Sequence, residues 1–234
     1  MCFLFRHSLK SGGGEDTGGV FRGKIAFIYT ILPNVSSMLE LIVAKIKGFL
    51  LNPVETFRSS REDTSGTVLA YFSALLVLDA VLTSAVTVLG IGFLGAFGQY
   101  LPHAGPFLPV VIFLLVLVGG LVWALIISAW IHLWVFIFGG RKGIFQTVKA
   151  VLYGLTPSLL FGWIPVIGFF FTLWAIVLEI LGIRELQEIS SGKAILVLFI
   201  AVMIPIFLLI VLALYLMVNV HSIQTTQVVS SAPV

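Results

Sequence analysis

WAIVLEILGIRELQEISSGKA, Trp174 to Ala194, carries three of the chain's ten carboxylates. Glu179 interrupts an apolar run, and Arg184, Glu185, Glu188 and Lys193 follow it closely. Such a stretch is either an acidic site or the place where a helix leaves a membrane. Composition favours the second. The 234 residues are 59% hydrophobic and 10% charged, with a mean hydropathy of +1.16, whereas a soluble domain carries about 25% charged residues. Twenty Phe and repeated apolar runs longer than about 18 residues point to transmembrane helices.

Working outward, the runs predict an all-α polytopic membrane protein with five spans, each of about 20 residues. They cover about Thr67 to Leu89, Pro109 to Phe138, Phe145 to Phe161, Ile164 to Leu181, and Ala194 to Met217. The second run is long for one crossing but short for two, so it reads as a tilted helix. The third and fourth meet at Gly162-Trp163-Ile164-Pro165 as a tight hairpin. Pro205 falls inside the fifth, where neighbouring helices make proline tolerable and a kink is expected.

Ahead of the spans, Leu39, Ile42, Val43, Ile46, Leu50, Val54 and Phe57 share one helical face, opposite Glu40, Lys47, Glu55 and Arg58. That pattern predicts an amphipathic interfacial helix, lying either in the lipid interface or on the protein's own membrane domain. Asn52-Pro53 should break it, with Asn52 capping the new turn, Pro53 opening it and Glu55 closing a capping box. The expected divisions are a flexible cytoplasmic tail (1–37), the amphipathic segment (38–66), the five-helix domain (67–218) and a short extracytoplasmic tail (219–234). The change from Gly-rich sequence to amphipathic helix at Met38 makes that methionine a candidate start. The opening residues lack the apolar length of a secretory signal.

All thirteen Lys and Arg lie in the amino-terminal region, in RKGIFQTVK (Arg141, Lys142, Lys149) or in RELQEISSGK (Arg184, Lys193). Alternate connections are therefore basic and neutral. The positive-inside rule places the amino terminus and the basic connections in the cytoplasm and the carboxyl terminus outside. On this reading Arg184 to Lys193 is a solvated loop, and Glu185 and Glu188 are charged because they sit in water.

Ionisable residues within the spans are the remaining candidates for chemistry, because placing them in hydrocarbon is costly. Asp79, His132 and Glu179 each sit on a helical stripe of small or polar residues: Asp79 with Thr83 and Thr87, His132 with Gly120, Ala124 and Ser128, Glu179 with Thr172, Ala175 and Gly182. Small-residue faces let membrane helices approach closely, so the three seams are expected to meet. They form either a proton or ion site or, in the plainer reading, a structural hydrogen-bond cluster or acids kept neutral by burial. Arg141 and Lys142 in GGRKG are candidate lipid-headgroup contacts. No HExxH, GxSxG or nucleotide-binding glycine motif is present, a single cysteine excludes a disulfide framework, and no metal, cofactor or enzymatic activity is expected.

KGFLLNPVETFRSSRED before the first span, GGRKGIFQTVKAVLYGLTPSLLFGWIPVIG, and LWAIVLEILGIRELQEISSGKA together resemble the Yip-domain (Ypt/Rab-interacting) family of five-span membrane proteins. The likeness runs from about Met38 to Met217 and is closest to prokaryotic, particularly archaeal, members. It implies a five-helix bundle in the cell membrane, or in Golgi and ER membranes were the source eukaryotic. The chain lacks the DLYGP-type cytosolic motif of the eukaryotic relatives, which makes a Rab-type GTPase a doubtful partner. The expected partners are the lipid bilayer and other membrane proteins or further copies of the chain, with no nucleic acid. The expected function is a non-enzymatic scaffold, membrane-shaping or partner-binding module; the alternative is a small transporter or channel using Asp79, His132 and Glu179.

Overall fold

The computed structural model describes the backbone of residues 37–89 and 107–230, with side chains as far as residue 219. The expected tail before Met38 and the neutral connection around His103 lie outside the described residues. The chain divides into Met1–Ala44 and Lys45–Val234. Within the first unit, residues 37–44 are helical, with Leu39 and Val43 exposed and Ile42 buried.

The second unit is all-α among its described residues. Helix α1 (residues 37–51) ends there, followed by α2 (Pro53–Ser59) and a 3-10 turn (Ser60–Glu62). Then come α3 (Ser65–Val88), α4 (Leu108–Ile137), α5 (Ile144–Gly154), α6 (Thr156–Phe161), α7 (Ile167–Gln187) and α8 (Ser191–Ser230). Among the described residues five stretches are long and apolar enough to cross a membrane: α3, α4, Ile144–Phe161, α7, and α8 as far as Asn219.

Several expectations change in detail. Pro53 does open α2, but Asn52 makes no side-chain cap. Thr56 instead turns its hydroxyl back to the Asn52 carbonyl at 2.8 Å, so the capping box does not form. The long second span contains a π turn at Leu115–Gly119. The third bends at Leu155, where Pro157 starts a fresh helix because it cannot supply the N–H that would continue the old one. The fifth helix carries Pro205 and continues beyond Met217 to Ser230.

The largest correction concerns the opening stretch. Arg184 to Lys193 is not a loop: α7 runs through Gln187, and Leu186 and Gln187 are buried. Glu188 ends the helix in a left-handed conformation, and α8 begins at Ser191. The Glu185 side chain is 11% exposed and ion-paired rather than solvated. Its coverage comes from the amphipathic segment, which lies more than a hundred residues earlier in the chain. Lys149, expected in a basic loop, is likewise buried within α5.

Helices α5 and α7 make the most extensive pair. Small residues permit this. A Cβ added at Gly154 would stand 2.6 Å from Glu179 Cγ, and one at Gly182 would stand 3.1 Å from the Ala150 Cα. The largest fully buried side chains include Phe49, Phe57, Tyr71, Tyr153 and Leu178. They gather where the amphipathic segment meets α3, α5 and α7. The phase of α1 is therefore set by Phe49, while Leu51 points away and is 82% exposed. On α8 the buried hydrophobic residues among those described are Ala194, Val197, Leu198 and Ala201, all within its first eleven residues.

Candidate functional site

Among the described residues, cations of the three basic stretches converge at one end of the bundle: Arg58 and Arg61, Lys142 and Lys149, and Arg184. Phe57, fully buried, drives α2 onto α7: a Cβ at Gly182 would lie 2.8 Å from its ring, so only glycine leaves room. Phe49 packs at 4.9 Å from Phe57 and 4.7 Å from Tyr153, and Tyr153 packs edge-on to Tyr71 at 5.2 Å. Such aromatic pairs add about 0.5–1.5 kcal/mol each beyond their area burial.

Polar groups surround this cluster. Arg58 Nε donates to Glu185 Oε2 at 2.8 Å. Arg61 donates to Glu188 Oε1 and to the Glu185 carbonyl, each at 2.7 Å. The Arg61 carbonyl in turn accepts from Gln146 and Lys149 on α5. Asp63 accepts from Lys45 at 2.6 Å and from the Tyr153 hydroxyl. Tyr71 and Thr156 share a buried hydrogen bond of 2.9 Å; Thr156 gives its own proton to the Tyr153 carbonyl, so Tyr71 is the donor. The result is one interlock of α2, the 3-10 turn, α5 and α7.

Of the candidate headgroup contacts, Lys142 pairs with Glu188. The hydrogen bond from Lys142, joined by the charge of Arg61, holds the Glu188 carboxyl below the ordinary glutamate range. Arg141 is exposed; it donates to the Phe136 carbonyl at 2.8 Å and lies 4.1 Å over the Phe136 ring. Arg58 is held above its ordinary value, first by its hydrogen bond to Glu185.

The intramembrane candidates occupy three separate settings, and no hydrogen bond joins any two of them among the described residues. His132 Nδ1 lies 2.8 Å from Thr147 Oγ1, which also accepts from Gln187 Nε2 at 2.9 Å. Glu179 is 9% exposed, against Gly154, with no hydrogen-bond partner among the described residues. His132 and Glu179 therefore both meet α5, at Thr147 and Gly154, about two turns or roughly 10 Å apart along its axis. Asp79, part-buried, accepts from Thr83 Oγ1 at 3.3 Å. It lines a cleft of about 380 Å³ with Phe72, Leu115, Gly119, Trp123 and Leu159. Among the described residues no three His, Cys, Asp or Glu side chains gather to hold a metal ion.

Sequence reasoning weighed charges and passed over the uncharged polar groups that do the joining: Tyr71, Tyr153, Thr147, Thr156 and Gln187. The available signal was tyrosine and glutamine on otherwise apolar helices, since a buried hydroxyl or amide needs a partner.

Residues 47–213 match the family model described as Yip1 domain. No curated protein and no solved structure matches the chain.

Proposed function

Because the chain belongs to the Yip1 domain family, we propose that it acts as a non-enzymatic integral-membrane scaffold, with a docked platform at its basic end as the partner-binding or membrane-shaping surface. The interlock of α2, α5 and α7 carries the reading. Its polar groups hold a segment in place on the bundle, and they converge on each other rather than on an open reacting centre. The platform's outer side carries Leu51, 82% exposed, four residues from exposed Lys47 on one side and from exposed Glu55 on the other. An exposed apolar residue between opposite charges, on a segment anchored by buried aromatics, suits a contact with another protein at the membrane surface. The positive-inside rule puts this end in the cytoplasm. Arg141 then faces the headgroup layer, and Lys142 serves Glu188 first.

The test is purification of the tagged full chain from its native membrane in mild detergent, followed by mass spectrometry of what accompanies it. Leu51→Asp should lose specific partners while melting within a few degrees of the parent. An unchanged set of companions would overturn the assignment to this surface. Proteoliposome flux at two pH values should show no proton or ion movement. Flux dependent on Asp79, His132 or Glu179 would replace the scaffold reading with transport.

A further inference from the structure

The cleft beside Asp79 is produced by the backbone. The π turn at Leu115–Gly119 widens α4 where two glycines follow one another, and π turns of this kind recur at functional sites. The glycines play different parts. A Cβ at Gly120 would lie 2.9 Å from Leu76, so Gly120 lets α3 and α4 close. A Cβ at Gly119 would meet nothing within 4 Å. The side chain missing at Gly119 is open space in the cleft wall.

Around that space the walls are apolar except for one group. Asp79 is the single ionisable side chain lining the cleft among the described residues. Its Oδ1 takes a long hydrogen bond of 3.3 Å from Thr83, and among the described residues no hydrogen bond reaches Oδ2. Asp79 lies fourteen residues into the 24-residue α3, well inside the hydrocarbon, where a carboxyl without a full set of partners is unfavourable. The rim is open to the surroundings of the bundle, with Trp123 64% and Leu115 58% exposed. A volume of about 380 Å³ falls near the lower end of ligand pockets, which run from about 300 to 1,000 Å³ with apolar walls and a few placed polar groups. It suits one slender chain and is too small for a two-chain phospholipid.

We infer that this cleft binds a membrane-dissolved single-chain amine. The chain lies against Phe72, Leu115, Trp123 and Leu159, and the amine meets Asp79. The amine, held as an ammonium, donates to the Asp79 carboxylate. The two opposite charges cancel within the cleft. An alcohol of the same length can offer a hydrogen bond but no compensating charge, and a fatty acid would add a second carboxyl. The inference stands on the cleft alone and is independent of the platform at the other site.

The test uses the full chain in phosphatidylcholine nanodiscs with dodecylamine carrying a diazirine at its chain end, irradiated and mapped by peptide mass spectrometry. Adducts are expected on residues of the cleft wall, and excess dodecylamine should suppress them while dodecanol does not. Asp79→Asn should weaken the amine's competition by roughly tenfold, about 1.4 kcal/mol. Gly119→Leu, which places a side chain in the open space, should abolish labelling whether or not the Asp79 variant folds. Equal competition by dodecanol would show a crevice that any chain fills and would overturn the inference. So would labelling that survives Gly119→Leu, or crosslinks joining the cleft to a second protein in place of the amine.

Discussion

Glu179 enters the bundle where α5 offers no side chain to meet it. Gly154 accommodates its Cγ, and the Glu179 backbone N and Cα would stand 3.1 Å from any Cβ there. Gly154→Val should therefore push α5 from α7 and destabilise by about 1–3 kcal/mol, the usual cost of overpacking. Melting in detergent measures it. Glu179→Ala should rescue only part of the loss, because the backbone contacts remain. Glu179 itself makes no hydrogen bond, so Glu179→Met should melt at the same temperature or higher; a marked fall would reveal a partner that the buried carboxyl needs. Glu188 gives a pH-dependent expectation. Its folded pKa is depressed by Lys142 and Arg61, so between the folded and unfolded values the unfolded chain binds more protons. The contribution is complete above the unfolded glutamate value of about 4.3 and is lost as pH falls through the lower folded value. The difference in melting temperature between the parent and Glu188→Gln should be constant above about pH 5 and close as the pH falls from the unfolded value through the lower folded one.

At the scale of elements, two forces hold α2 on the bundle, and their magnitudes rank them. Arg58 is 57% exposed in its pair with Glu185, and exposed pairs contribute about 0–1 kcal/mol. Phe57 is fully buried, and Phe→Ala in a core costs about 3–5 kcal/mol. Phe57→Ala should release residues 45–62, seen as fast amide exchange and new proteolytic cuts there, while Arg58→Ala leaves both nearly unchanged. Equal effects would assign the docking to charge instead. The helices themselves were legible because an apolar run of about 20 residues has few alternatives. The end of α7 was not, because Glu185 and Gln187 read as a polar exit until Arg58, Arg61 and Thr147 come against them. The phase of α1 was misjudged for the same reason: Phe49 turns inward only because Tyr153 and Phe57 wait there.

For the whole molecule, the largest fully buried side chains include Phe49, Phe57 and Tyr153 of the basic end, and the outer part of α8 past Ala201 presents large exposed hydrophobic residues such as Phe207, Leu209 and Leu216, as a lipid-facing span should. The alternation of charged and neutral connections predicts that this basic end is cytoplasmic. With Cys2 replaced, single cysteines at Lys142, His103 and Ser230 can be probed by an impermeant thiol reagent on intact cells. The sites at 103 and 230 should react, and the site at 142 should react only after permeabilisation. Labelling at 142 alone would reverse the topology.

What the sequence determined by itself was whatever depends on one stretch of chain against its solvent. Apolar length set the five spans, Pro53 marked a break, and the placement of Lys and Arg divided the connections into basic and neutral. Tertiary structure alone decided which polar residues meet. Asp79, His132 and Glu179 looked alike as ionisable groups on small-residue stripes, yet one lines a cleft, one joins Thr147 and one is enclosed against a glycine. Helical periodicity fixes the face a residue occupies on its own helix. It carries nothing about the axial offset or rotation of the neighbour, and those follow from how Gly154, Gly182, Phe57 and the π turn of α4 let particular helices approach.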